Sequence, residues 1–151
     1  MGFTLMSPAF AEGATIPLKY TRMGDNLCPT LKWAGAPEGT LGFALVIEDP
    51  DAPRGTFRHC GISNIPPDRT ELPKNADTAP DQAPRYHKND FGNARYDGPQ
   101  PPPGSGPHHY VFRLAALDVA RLPDAVDAAA MWAEARKHSL AEATLTGIYQ
   151  R

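Results

Sequence analysis

The chain reads as a mainly β protein, an antiparallel Greek-key β-sandwich with one short helix near the C-terminus. Three observations carry this. Apolar stretches of strand length recur through the 151 residues, joined by connections of uneven length rather than by the regular helical crossovers of βαβ units. Of the 17 prolines, twelve cluster at 50–53, 66–84 and 99–107. Proline brings no ladder N–H, so strands are expected between those clusters. Near the C-terminus small or apolar residues alternate with polar ones, the mark of a sheet with one packed face.

Strands are predicted at Phe3–Leu5, Leu31–Trp33, Phe43–Ile47, Phe57–Ile65, His109–Leu117 and Leu140–Tyr149. Ser7-Pro-Ala-Phe-Ala11 has the small residues of a cleavage site, but the stretch before it lacks the basic start and apolar core of a signal peptide. It is therefore read as part of the first strand region, and a cytoplasmic location is expected. In the last strand Ala141, Ala143, Leu145, Gly147 and Tyr149 share one face, with Glu142, Thr144 and Thr146 on the other. The helix is predicted over Asp124–His138, which is rich in alanine. Asp124 is its expected N-cap, and Arg136, Lys137 and His138 suit the last turn of its dipole. Ala128, Met131, Trp132 and Ala135 form its expected core face. Residues 67–98 read as a long loop with short helical turns, and loops of that length often carry function. No repeat or linker divides the chain, so one domain is expected.

Composition excludes several function classes. A formal charge of −2 without a basic block argues against nucleic acid as partner. No run of 18 apolar residues is present, which leaves at most peripheral membrane contact. Cys28 and Cys60 read as reduced, buried thiols. Neither metal-ligand spacing nor a phosphate-binding loop is visible, so no metal and no cofactor are expected.

The chemistry concentrates in two clusters. Asp49-Pro-Asp51-Ala-Pro53 closes the apolar run Phe43–Ile47 and leads to Phe57-Arg58-His59; Gly98-Pro-Gln100-Pro-Pro102 leads to His108-His109-Tyr110. Two polar rims attached to core strands suggest one pocket. In extended backbone Asp49 and Asp51 point the same way, as do Phe57 and His59, and His108 and Tyr110; His109 then faces out, and Cys60 faces away from a pocket that His59 enters. The set comprises one or two carboxylates, two imidazoles that charge near neutral pH, a phenol and glycine-proline backbone. Imidazolium and phenol O–H donate to phosphate oxygens, and backbone N–H groups near Gly98 and Gln100 extend the cradle. A carboxylate repels phosphate, so its work is to hold an imidazole in one tautomer or to meet an ammonium. A zwitterion such as phosphoethanolamine satisfies both signs. As an alternative, Asp49 and Asp51 cap a turn, and His59, His108 and Tyr110 belong to the core. His87 and His138 are assigned to solvated surface.

These segments, in this order, resemble the phosphatidylethanolamine-binding protein family, in its bacterial Raf kinase inhibitor-like branch. The opening Phe3-Thr-Leu-Met-Ser-Pro-Ala-Phe10 and the ending from Leu140 to Arg151 extend the resemblance over nearly the whole chain. It implies a small ligand pocket made by Asp49, Phe57, His59, Gly98, Pro102, His108 and Tyr110, with Asp51, Pro53 and Gln100 as secondary candidates. It implies binding of phosphate or phosphorylated head groups without catalysis, and a regulatory role such as kinase inhibition. A phosphorylated protein or kinase joins the expected partners, a homodimer is allowed, and Ala52–Pro53 is a candidate cis bond. The chain departs from the family pattern at Phe57, where tryptophan is frequent, at Gln100, where cysteine is, and at His109, where arginine is. Cys60 and Gly61 stand where bulkier residues often follow the histidine. Two other functions stay open: protease inhibition through a surface loop independent of the pocket, and a weak hydrolase using Asp and His as general acid and base.

Overall fold

The computed structural model describes residues 2–72 and 84–151; the part of the predicted 67–98 loop at 73–83 lies outside the described residues. Among the described residues eight strands form two antiparallel sheets. β1 (Thr4–Met6), β2 (Leu31–Ala34) and β5 (Glu71–Leu72) make the smaller one, in the order β1-β2-β5. β3 (Gly42–Asp49), β4 (Phe57–Ile65), β6 (Arg85–His87), β7 (His108–Leu117) and β8 (Ser139–Tyr149) make the larger, in the order β6-β4-β3-β7-β8. β3 lies beside both its hairpin partner β4 and the distant β7, the long return that a Greek key requires.

All eight residues of β3 are buried, because both of its faces are covered. Phe43, Leu45 and Ile47 point between the sheets, where they join Leu31, Trp33 and Leu72 of the small sheet and Phe112 and Leu114 of β7. Ala44 and Val46 point the other way, against Met131, Trp132 and Ala135 of the helix α1 (Ala128–Arg136). That two-sided burial is why β3 is a continuous apolar run rather than an alternating one. β8, at the edge, alternates as predicted, with Ala143, Leu145 and Gly147 buried.

The helix is shorter than expected, and its N-cap is Asp127 rather than Asp124. The Asp127 carboxylate accepts from Ala130 N–H at 2.8 Å, while Asp124 pairs with Arg85. The predicted core face is correct: Ala128, Met131, Trp132 and Ala135 are its buried residues. The position at Gly61 explains how the helix sits so close. A Cβ there would lie 2.5 Å from Ala128 Cβ and 2.9 Å from its Cα. The missing bulk after His59 is thus filled by α1.

Two predictions for the 67–98 region fail. It contains the short strands β5 and β6 instead of helical turns among its described residues. His87 is buried, not solvated, with Nε2 at 2.7 Å from Ser63 Oγ. Ala52–Pro53 is trans. Cys28 and Cys60 are free and buried, as expected.

Candidate functional site

The C-terminal end of β3 and the N-terminal ends of β4 and β7 meet at one rim, and there they enclose a cavity of about 180 Å³. Pockets for drug-sized ligands run from ~300 Å³ upward, so this cavity is small by that measure. Asp49, Pro53, Phe57, His59, Gln100, Pro102, His108 and Tyr110 all line it. The polar rims of the two sequence clusters therefore do converge.

Asp49 ends β3 and is buried, with each carboxylate oxygen taking one hydrogen bond. One oxygen accepts from Asp51 N–H at 2.8 Å, and the other from His108 Nδ1 at 2.7 Å. His108 Nε2 lies 3.1 Å from Ser105 Oγ. Asp49 thus sets the tautomer of His108, one of the two roles the sequence allowed it.

His59 is held from the opposite wall. Its Nδ1 lies 2.8 Å from Asp97 O and 3.1 Å from Gly98 O. Both neighbours are carbonyl oxygens, which only accept, so Nδ1 carries the proton and Nε2 is left as the free ring nitrogen. The ring stands edge-on to Tyr110 and Phe91 and tilted against Phe57, with centroids 5.2, 5.6 and 5.0 Å away. Burial pushes its pKa below the ordinary value, although Asp97 O, Asp49 and Gly98 O pull it back. A neutral His59 contradicts the expectation that this imidazole supplies positive charge near pH 7. The Tyr110 hydroxyl has no hydrogen-bond partner among the described residues. Burial and the carboxylates of Asp49 and Asp51 push its pKa up, so it keeps its proton and remains a donor.

His59 reaches the pocket through a bulge. Glu48 pairs with Arg58 and Ile47 with Cys60, three residues of β4 against two of β3. Phe57 and His59 both line the cavity and Cys60 does not, as predicted, while the bulge turns Cys60 with Ile47 into the core between the sheets.

Two candidates lie elsewhere. Asp51 does not point with Asp49, because residues 50 and 51 turn rather than extend. Its carboxylate accepts from His109 N–H and faces His109 Nδ1, both at 2.8 Å, on the exposed outer side. Gly98 is not on the cavity wall. It is wedged against the Tyr20 and Thr21 backbone, where no Cβ fits, and acts through its carbonyl on His59.

The sequence reading missed three residues. Phe91 lines the cavity, and the Arg22 guanidinium stacks 4.1 Å over its ring while donating to Gln100 Oε1 at 2.7 Å. Asp97, fully buried, accepts from Asn26, Asn89, Asn93 and Arg95 and so fixes the loop that holds His59. A lone phenylalanine in a polar loop was the one local signal for Phe91. Among the described residues no group of three or more His, Cys, Asp or Glu is placed to hold a metal.

The family model described as phosphatidylethanolamine-binding protein matches residues 6–150. A UPF0098 protein of Methanothermobacter thermautotrophicus is 41% identical over 151 residues, covering 97% of this chain and 98% of that one. A UPF0098 protein of Aquifex aeolicus is 37% identical over 150 residues, covering 97% and 88%. The crystal structure of YbcL from Escherichia coli, titled a new member of the mammalian PEBP family, superposes with a TM-score of 0.93 at 30% identity, covering 100% of this chain and 99% of that one.

Proposed function

The chain belongs to the phosphatidylethanolamine-binding protein family, and from that premise we propose that it is a non-enzymatic binding and regulatory protein whose pocket takes phosphate or a phosphorylated head group. The observation that carries this is the pairing of an unpartnered Tyr110 O–H with the open Nε2 of His59 inside a cavity of about 180 Å³. A tetrahedral oxyanion fits between them, accepting from the phenol. The Asp49 carboxylate already accepts from Asp51 N–H and faces His108 Nδ1, which blunts its repulsion of an anion. The Arg22 guanidinium braced on Phe91 and Gln100 adds positive charge behind two lining residues. The regulatory part, capture of a phosphorylated protein or inhibition of a kinase, is supported by family membership rather than by a visible surface.

Inorganic phosphate added to the protein is expected to give saturable side-chain NMR shifts at His59 and Tyr110. Tyr110→Phe, which removes one hydrogen bond to a charged ligand, is expected to weaken binding about tenfold. Equal binding by this variant, or no saturation in the wild type, would remove the reading.

A second reading, a serine hydrolase, has one specific observation in its favour. Ser105 Oγ, His108 and Asp49 stand in the order of a nucleophile, base and orienting acid, with steps of 3.1 and 2.7 Å. Two features weigh against it. Ser105 also donates to Pro102 O at 2.8 Å, and it sits on an exposed turn outside the cavity wall. A fluorophosphonate probe that leaves Ser105 unlabelled eliminates this reading.

A further inference from the structure

We propose that the pocket reads the proton on its ligand: it takes an oxyanion that still carries an O–H, a phosphate monoester in its monoanionic form, and discriminates against tetrahedral anions that have none. This rests on the anion-pocket reading above and adds to it which anion, and in which protonation state.

Donors and acceptors on the cavity wall decide which ligand it can take. His59 Nδ1–H is committed to the carbonyls of Asp97 and Gly98. With that proton fixed, the neutral ring offers the cavity a lone pair at Nε2 and nothing to donate. The ring cannot swivel to exchange its nitrogens, because Phe57, Phe91 and Tyr110 pack around it. Tyr110 supplies the complementary donor. A ligand that both accepts from the phenol and donates to the imidazole satisfies both walls. One that only accepts sets two lone pairs against each other at Nε2, in a site with little water to intervene.

Among the described residues, charged and titratable groups approach His59 from several sides. Asp49 approaches from β3, Asp97 from the loop before Gly98, and Tyr110 and His108 from β7; Arg22 lies over Phe91. The two carboxylates favour a charged imidazole, yet burial outweighs them and holds the His59 pKa below its ordinary value. Both carboxylates are already engaged by protein donors, Asp49 by His108 and Asp97 by its asparagines. A ligand O–H can then supply the proton that Nε2 accepts.

A phosphate monoester holds its second proton up to a pKa of about 6. Sulfate and phosphodiesters hold none near neutral pH. The test is a calorimetric titration of the full chain with O-phosphoethanolamine, glycerophosphoethanolamine and sulfate at pH 6 and pH 8, with ¹⁵N shifts of the His59 ring recorded alongside. The expected result is monoester binding at pH 6 that weakens about tenfold or more at pH 8, sulfate and the diester weaker by a similar factor at pH 6, and His59 still protonated at Nδ1 alone in the complex. The diester arm separates a free monoester from an intact phospholipid head group as the source. Sulfate binding as tightly as the monoester, or a doubly protonated His59 in the complex, overturns the proposal and leaves the anion pocket standing. No binding of any of the three overturns both.

Discussion

Asp97→Ala is expected to lower stability by about 3–5 kcal/mol, the usual cost of removing one partner from a buried, hydrogen-bonded charge network. The carboxylate is fully buried. It accepts from Asn26 and Asn89 at 2.8 Å, from Asn93 at 2.9 Å and from Arg95 at 3.1 Å, with Arg22 at 3.7 Å. Alanine leaves these donors facing an empty site. Because the backbone of Asp97 bonds both the N–H-bearing nitrogen and the carbonyl of His59, the variant is also expected to lose the ligand response of the His59 ring. The acid limb provides a second readout. Burial alone raises the Asp97 pKa, but bonds from Asn93, Asn89 and Asn26 outweigh it and hold the group below its ordinary value. Its contribution is complete above the unfolded value of about 4 and is lost as pH falls through the lower folded one. Urea unfolding at pH 7 and at pH 3 should show the variant's deficit shrinking in acid. A wild-type urea midpoint in Asp97→Ala at pH 7 would refute this account of the loop.

The second large effect lies on the opposite face of the big sheet. Gly61→Val is expected to cost about 3 kcal/mol or more, at the upper end of overpacking penalties. Even one added carbon at Gly61 would sit 2.5 Å from Ala128 Cβ and 3.2 Å from Met131 Cε. The first turn of α1 cannot yield locally, since Ala128 N–H is bonded to Lys88 O and Asp127 caps the turn. The helix must lift, and with it the contact of Met131, Trp132 and Ala135 with Ala44, Val46, Ala115 and Leu117. Phosphate binding should survive in whatever fraction stays folded, because the pocket opens on the other side. Adding Ala128→Gly should restore part of the loss; no restoration would show that the strain is not at this contact.

How much of this was legible follows the length of the signals. β3, β7 and β8 are long and are either apolar throughout or alternating, and each was readable in place. β5 and β6 have two and three residues, with Glu71 and Arg85 exposed, too short for any period to show. The pocket was legible where glycine-proline turns bracket histidines, yet two of its determinants were not. The bulge that brings His59 inward is a property of pairing with β3, which no spacing within β4 announces. Asp97 gathers Asn26, Asn89 and Asn93 from segments up to 71 positions away in sequence, so only the folded chain makes them a set. Asp51 shows the converse: a correct-looking parity argument failed because the prolines around it turn the backbone.

The two thiols give the fold a built-in clock. Burial pushes Cys28 up to about 12 and raises Cys60 as well, so at pH 7 roughly one Cys28 in 10⁵ is thiolate, the reactive form. Both sulfurs lie in the core between the two sheets. A thiol reagent therefore waits for that core to separate, and the rate at which it is consumed counts openings of the sandwich without any introduced probe.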